Sequence, residues 1–139
     1  MRIMALDYGE KRVGIAITDP LGIISQPLLT IQVGSEKDLI QRLKFIIEEN
    51  GVGLIIIGNP ISHRGEPTKI SKKIMKFASK LRNFLNIEVK LWDERFTSKY
   101  AARILQDIGI KKGKAAKLDQ IAASIMLDEY LKSGAANIT

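Results

Sequence analysis

The sequence of 139 residues contains no cysteine, which excludes disulfides and thiolate-held metals or clusters. Histidine is nearly absent too: His63 stands alone in a loop, as a surface residue or as a contact to substrate or proton carrier, and a multi-histidine metal site is excluded. No apolar stretch approaches the roughly 20 residues needed to cross a bilayer. The N-terminus leads straight into a strand pattern, without the basic, apolar and cleavage regions of a signal peptide, and the cytoplasm is the expected compartment. Repeats, low-complexity tracts and linkers are missing as well. Residues 1–139 therefore read as one domain, large enough for a single covered core.

Positive charge is in excess. Twenty-two Lys and Arg against fifteen Asp and Glu give a net charge of +7, which favours a polyanionic partner through a salt-sensitive attraction. The distribution is uneven. Lys69, Lys72, Lys73, Lys76, Lys80 and Arg82 cluster in one segment, and Lys111, Lys112, Lys114 and Lys117 in another. Each cluster is either a solvated face or part of a surface for a nucleic acid backbone.

Periodicity predicts strands at 2–7, 12–18 and 27–32, the first two joined by the Tyr8-Gly9 turn and the third following Asp19-Pro20-Leu21-Gly22. Ser35 with Asp38 signals a helix start, and Asn50-Gly51 its end. Leu54–Ile57 has the uninterrupted apolar pattern of a central parallel strand. A Gly/Pro-rich loop, 58–67, leads to a helix with Ile70, Ile74, Phe77, Ala78, Leu81 and Leu85 on one face. A strand at 87–92, a helix capped by Thr97 and a last helix from about Lys114 to Leu131 complete the order β-β-β-α-β-α-β-α-α. This is an α/β architecture: a mixed sheet, an antiparallel meander of three plus two parallel strands, with helices on both faces. Ligands of such sheets sit beyond the carboxyl ends of the parallel strands.

Acids fall at those ends. Asp7 closes the apolar run Ile3-Met4-Ala5-Leu6, where a carboxylate is costly unless it is paired or binds a metal. It reads as a metal ligand or as a turn aspartate. Asp93 and Glu94 end the last strand, where alternation cannot decide between them because strand ends often bulge. Asp119 stands on a helix face with Ala115, Ala116, Ala122, Ala123 and Met126 as neighbours. It is either a third ligand or a boundary residue paired with Lys112 or Lys117. Three converging carboxylates would suit Mg²⁺ or Mn²⁺ and hydrolysis of a phosphodiester.

Leu6-Asp7-Tyr8-Gly9-Glu10-Lys11-Arg12-Val13-Gly14-Ile15-Ala16, Gly58-Asn59-Pro60, Asp93-Glu94-Arg95-Phe96-Thr97-Ser98 and Lys117-Leu118-Asp119-Gln120-Ile121-Ala122-Ala123 together resemble the successive motifs of the YqgF/RuvX family. The resemblance spans nearly the whole chain and implies an RNase H-like fold, as in RuvC-type resolvases. It implies a metal-dependent nuclease that processes the 5′ end of pre-16S rRNA in ribosome biogenesis, or one that resolves Holliday junctions. It also implies Asp7, Glu94 and Asp119 as the catalytic, metal-holding set, with Glu94 taken over Asp93 on that basis. Lys11, Arg12, Arg95 and Lys114 are the expected nucleic acid contacts; Arg12 and Arg95 could instead pair with the acids. The loop after Gly58 departs from the family's usual Gly-Leu-Pro pattern. Ala122 and Ala123 stand where RuvC-type nucleases carry a further acid. The expected partner is pre-rRNA or branched DNA, bound by a monomer or weak homodimer. Two other readings are a non-catalytic binding module and an actin-like ATPase domain that uses the Asp7-Tyr8-Gly9 turn for phosphate.

Overall fold

The computed structural model describes residues 1–60, 66–93 and 115–134. Within them lie β1 (Arg2–Tyr8), β2 (Arg12–Thr18), β3 (Ser25–Gln32), α1 (Glu36–Asn50), β4 (Val52–Asn59), α2 (Lys69–Leu85), β5 (Glu88–Asp93) and α3 (Ala115–Lys132). The helix expected after Thr97 lies outside the described residues. The strands form one sheet in the order β3-β2-β1-β4-β5. β1, β2 and β3 make the antiparallel meander, and β4 and β5 add in parallel beside β1. This is the expected mixed sheet.

Strand alternation divides the core into two layers. Met4 and Leu6 of β1, Val13 and Ile15 of β2, and Ile55 and Ile57 of β4 pack under α1 and α2. Ile3 and Ala5, Ala16, and Leu54 and Ile56 point the other way, against Ala123, Met126, Leu127 and Tyr130 of α3. Each fully buried Leu or Ile contributes about 2 kcal/mol relative to exposure. The helices thus cover both faces, and Asp7, next after Ala5 in the odd-numbered set, belongs to the α3 face.

Local chemistry sets the element ends. Ser35 Oγ accepts from the Asp38 amide at 3.1 Å, and Gly51 closes α1 in the left-handed conformation at φ 64°. Thr68 caps α2 in the same way through the Ser71 amide, and Asn86 ends it at φ 49°. After β2, the Asp19 carboxylate accepts amide hydrogens from Leu21, Ile23 and Ile24, which holds its pKa below the ordinary carboxylate value.

β1 runs one residue further than periodicity predicts, and β3 and β4 are longer by more. β3 begins at Ser25 and runs through Pro27. It lies at the sheet edge, where a missing amide is tolerated, and the register shift at Ile15/Ala16 accommodates the extra residue. β4 reaches Asn59 because Gly58 and Asn59 pair with Trp92 and Asp93 instead of starting the loop. Arg82 also takes a structural place: its guanidinium donates twice to the Val89 carbonyl, at 3.1 and 2.7 Å, tying α2 to β5. No helix among the described residues is long and apolar enough to cross a membrane.

Candidate active site

β1 runs on to Tyr8, so Asp7 is its penultimate residue and pairs across the ladder with Gly14 of β2. Gly14 explains how α3 reaches this point. A methyl group there would overlap the Asp119 carbonyl outright and come within 2.7 Å of the Gln120 nitrogen. The backbone of α3 therefore rests directly on β2 at the residue opposite Asp7. Such close approach needs glycine. Gly9 serves the turn similarly, since a Cβ there would stand 2.6 Å from the Arg12 carbonyl oxygen.

The result is a pocket of about 390 Å³ lined by Asp7, the turn residues Tyr8 to Arg12, and Asp119. Asp119 is paired with Arg12, whose Nε donates to Oδ2 at 2.8 Å across 107 residues of chain. Of the pairings the sequence allows, the structure gives that of Arg12 with one of the acids; Lys112 lies outside the described residues. Both side chains keep solvent contact, 37% for Arg12 and 25% for Asp119, so the pair contributes about 1 kcal/mol at most. Arg12→Gln should therefore lower stability by about 1 kcal/mol or less in urea denaturation. A much larger loss of nucleic acid affinity in the same variant would separate a contact role from a packing role.

Glu10 was not singled out by sequence, although its place between Asp7 and Arg12 offered a signal. It lines the same pocket but turns its carboxylate to Lys73 of α2. The hydrogen bond from the ammonium lowers the Glu10 pKa and raises that of Lys73. This tie holds above the ordinary carboxylate pKa and fades as pH falls through the depressed value. At the alkaline end it is lost as pH rises through the raised Lys73 value. Burial, then the charges of Glu36 and Glu10, raise the pKa of Tyr8, whose ring packs on Phe77 at a centroid distance of 4.8 Å.

The structure brings Asp7, Lys11, Arg12 and Asp119 to one pocket. Glu94, Arg95, Lys114 and His63 lie outside the described residues. No group of three or more His, Cys, Asp or Glu side chains placed to hold a metal occurs among the described residues. Alternation in β5 bears on the choice between Asp93 and Glu94. Val89 and Leu91 pack with the α1/α2 layer, whereas Trp92 packs with the α3 layer, edge-on to Tyr130 at 5.5 Å. The pleat assigns Asp93 to the Val89 face, opposite the face of Asp7. Trp92 is a packing residue.

A family model described as "RuvX: Holliday junction resolvase" matches residues 1–133. The chain belongs to the RuvX family. Among its RuvX relatives, a protein of Dictyoglomus turgidum named "Putative pre-16S rRNA nuclease" is 42% identical over 134 residues, covering 96% of this chain and 95% of that one. A Thermoanaerobacter pseudethanolicus protein of the same name is also 42% identical, over 136 residues. Two solved structures share the RuvX fold at low identity. RuvC of T. thermophilus in complex with a Holliday junction substrate aligns with a TM-score of 0.62 at 10% identity, over 96% of each chain. The fowlpox virus Holliday junction resolvase gives 0.54 at 19% identity, over 96% of this chain and 99% of that one. The fold is thus the RNase H-like fold of RuvC-type resolvases.

Proposed function

We propose that this chain is a divalent-metal-dependent endonuclease acting on structured nucleic acid, with the 5′ leader of pre-16S rRNA as its substrate. The observation that carries the reading is the meeting of Asp7 and Asp119 in one solvent-open pocket, made possible by Gly14. Gly14 lets the Asp119 carboxylate, with Arg12 on it, stand in the same solvent-open pocket as Asp7. The names of the relatives supply the substrate class.

The donors present fit a hard cation: Asp7 and Asp119 offer carboxylate oxygens, and Glu94 is proposed as the third ligand. A Mg²⁺ or Mn²⁺ ion bound there would supply Lewis acidity to the scissile phosphate. The chain's own residues do the rest. Asp7 and Asp119 concentrate negative charge where the cation is needed. Arg12 neutralises Asp119 in the free protein and lies within the same pocket as an incoming phosphate, and Lys11 stands exposed beside it. With Arg95 and Lys114, these cations are proposed to hold the backbone in place.

Incubation with Mg²⁺ or Mn²⁺ of a pre-16S rRNA carrying its leader, and of a four-way DNA junction, tests this. Cutting of the RNA at the leader is the expected result. Cutting of the junction alone would instead favour resolvase activity, the reading supported by the family description. Binding without cutting of either substrate would leave a binding module.

A further inference from the structure

We propose that the exposed face of α2 is a docking track for a double-stranded arm of the substrate, beginning at the rim of the Asp7 pocket. This deepens the nuclease reading and assigns a surface outside the pocket itself. Lys69, Lys72, Lys73, Lys76 and Lys80 are all exposed. At 3.6 residues per turn they fall within an arc of about 100° and extend for about 16 Å along the helix. The opposite face is buried against the sheet through Ile74, Phe77, Ala78 and Leu81.

Helix stability does not account for this file of charge. α2 contains no acidic residue in its 17 positions, whereas solvated helix faces usually alternate signs at i and i+4. The pairs 69/72, 69/73, 72/76, 73/76 and 76/80 are like-charged at spacings that repel. Lys69 and Lys72 also stand in the first turn, at the positive end of the helix dipole. Lys73 and Lys80 are partly neutralised by Glu10 and Glu36 from neighbouring elements. No carboxylate among the described residues pairs with Lys69, Lys72 or Lys76. A polyanion laid along the helix would relieve every one of these repulsions.

The position and the side-chain chemistry indicate which polyanion. Lys73 reaches Glu10, which lines the Asp7 pocket, so the track starts at the site. Single-stranded nucleic acid is held by cations interleaved with exposed rings on which bases stack. Between Lys69 and Lys80 the aromatic residue is Phe77, 1% exposed; the one exposed ring of α2, Phe84, stands a turn beyond Lys80 and is not interleaved with the lysines. Lysines without rings suit the regular phosphate ladder of a duplex.

The test compares the full chain with the triple variant Lys69→Gln, Lys72→Gln, Lys76→Gln. Fluorescence anisotropy is read as a function of salt on a blunt duplex of about 20 base pairs and on one of its single strands. The variant should lose about tenfold or more in duplex affinity near 0.1 M salt, and its log–log salt slope should fall by about 2 to 3. Its melting temperature should not drop, because repulsion has been removed; this excludes misfolding as the cause. An unchanged duplex slope overturns the track. Single-strand binding that is as tight as duplex binding and equally weakened overturns the duplex assignment. Cleavage is scored separately. A wild type that never cuts but shows the slope change loses the nuclease reading and keeps the track, and a wild type that cuts while the slopes coincide does the reverse.

Discussion

Asp7→Asn should abolish cleavage, with a loss of at least about 10³-fold, or about 4 kcal/mol of barrier. The substitution keeps the shape of the side chain and one carbonyl-type oxygen, so strand pairing with Gly14 is undisturbed. What it removes is negative charge at the point where Asp119 approaches and a cation is proposed to sit. Because the side chains are isosteric, the melting temperature should stay within about 5 °C of wild type. Binding of uncut nucleic acid should be retained or strengthened, because a negative charge facing phosphates has gone. Cleavage by Asp7→Asn at the wild-type rate, with folding intact, would remove Asp7 from the chemistry and with it the case for this pocket.

The parts of this site that were legible in the sequence are those governed by local periodicity. Asp7 is legible because it ends the uninterrupted apolar run Ile3–Leu6; the face it occupies follows only from the two layers of the structure. The caps at Ser35 and Gly51 depend on neighbours within four residues and are readable for the same reason. Sequence allows Arg12 to pair with one of the acids; that the acid is Asp119, 107 residues away, follows only from the packing of α3 on β2. Strand ends differ where a residue type argues for a turn but the sheet overrides it, as at Gly58-Asn59 beside β5, and where the edge pairing extends to Ser25 and Gln26. Ala123 is a further case. As sequence it marks a missing acid; in the fold it is 0% exposed, packed in the layer that holds Ala5 and Ala16. An aspartate there would be buried at a cost of several kcal/mol unless paired. The alanine is thus part of what lets α3 lie close to the sheet.

Gly14→Ala should be the most disruptive single-methyl change in the described fold. Its Cβ has no free direction, because the atoms it meets are the Asp119 carbonyl and the Gln120 nitrogen, which are backbone. No rotamer change can relieve that overlap, and either α3 lifts or β2 bends. Overpacking of this kind typically costs 1–3 kcal/mol, and a backbone-on-backbone clash belongs at about 3 kcal/mol. That corresponds to a fall of about 10 °C in melting temperature for a chain of this size. The effect on activity should exceed the effect on stability. Lifting α3 moves Asp119 relative to Asp7, and a displacement of about 1 Å between reacting groups costs on the order of 10²-fold in rate. The Arg12–Asp119 bond at 2.8 Å would lengthen or break with it. Gly34→Ala is the matched control: a Cβ at Gly34 meets nothing within 4 Å, and stability and cleavage should both be unaffected. Calorimetry and single-turnover cleavage on the two variants decide the matter. A Gly14→Ala protein that melts and cuts like wild type would mean that α3 does not rest on β2, and that the meeting of Asp7 with Asp119 has some other basis.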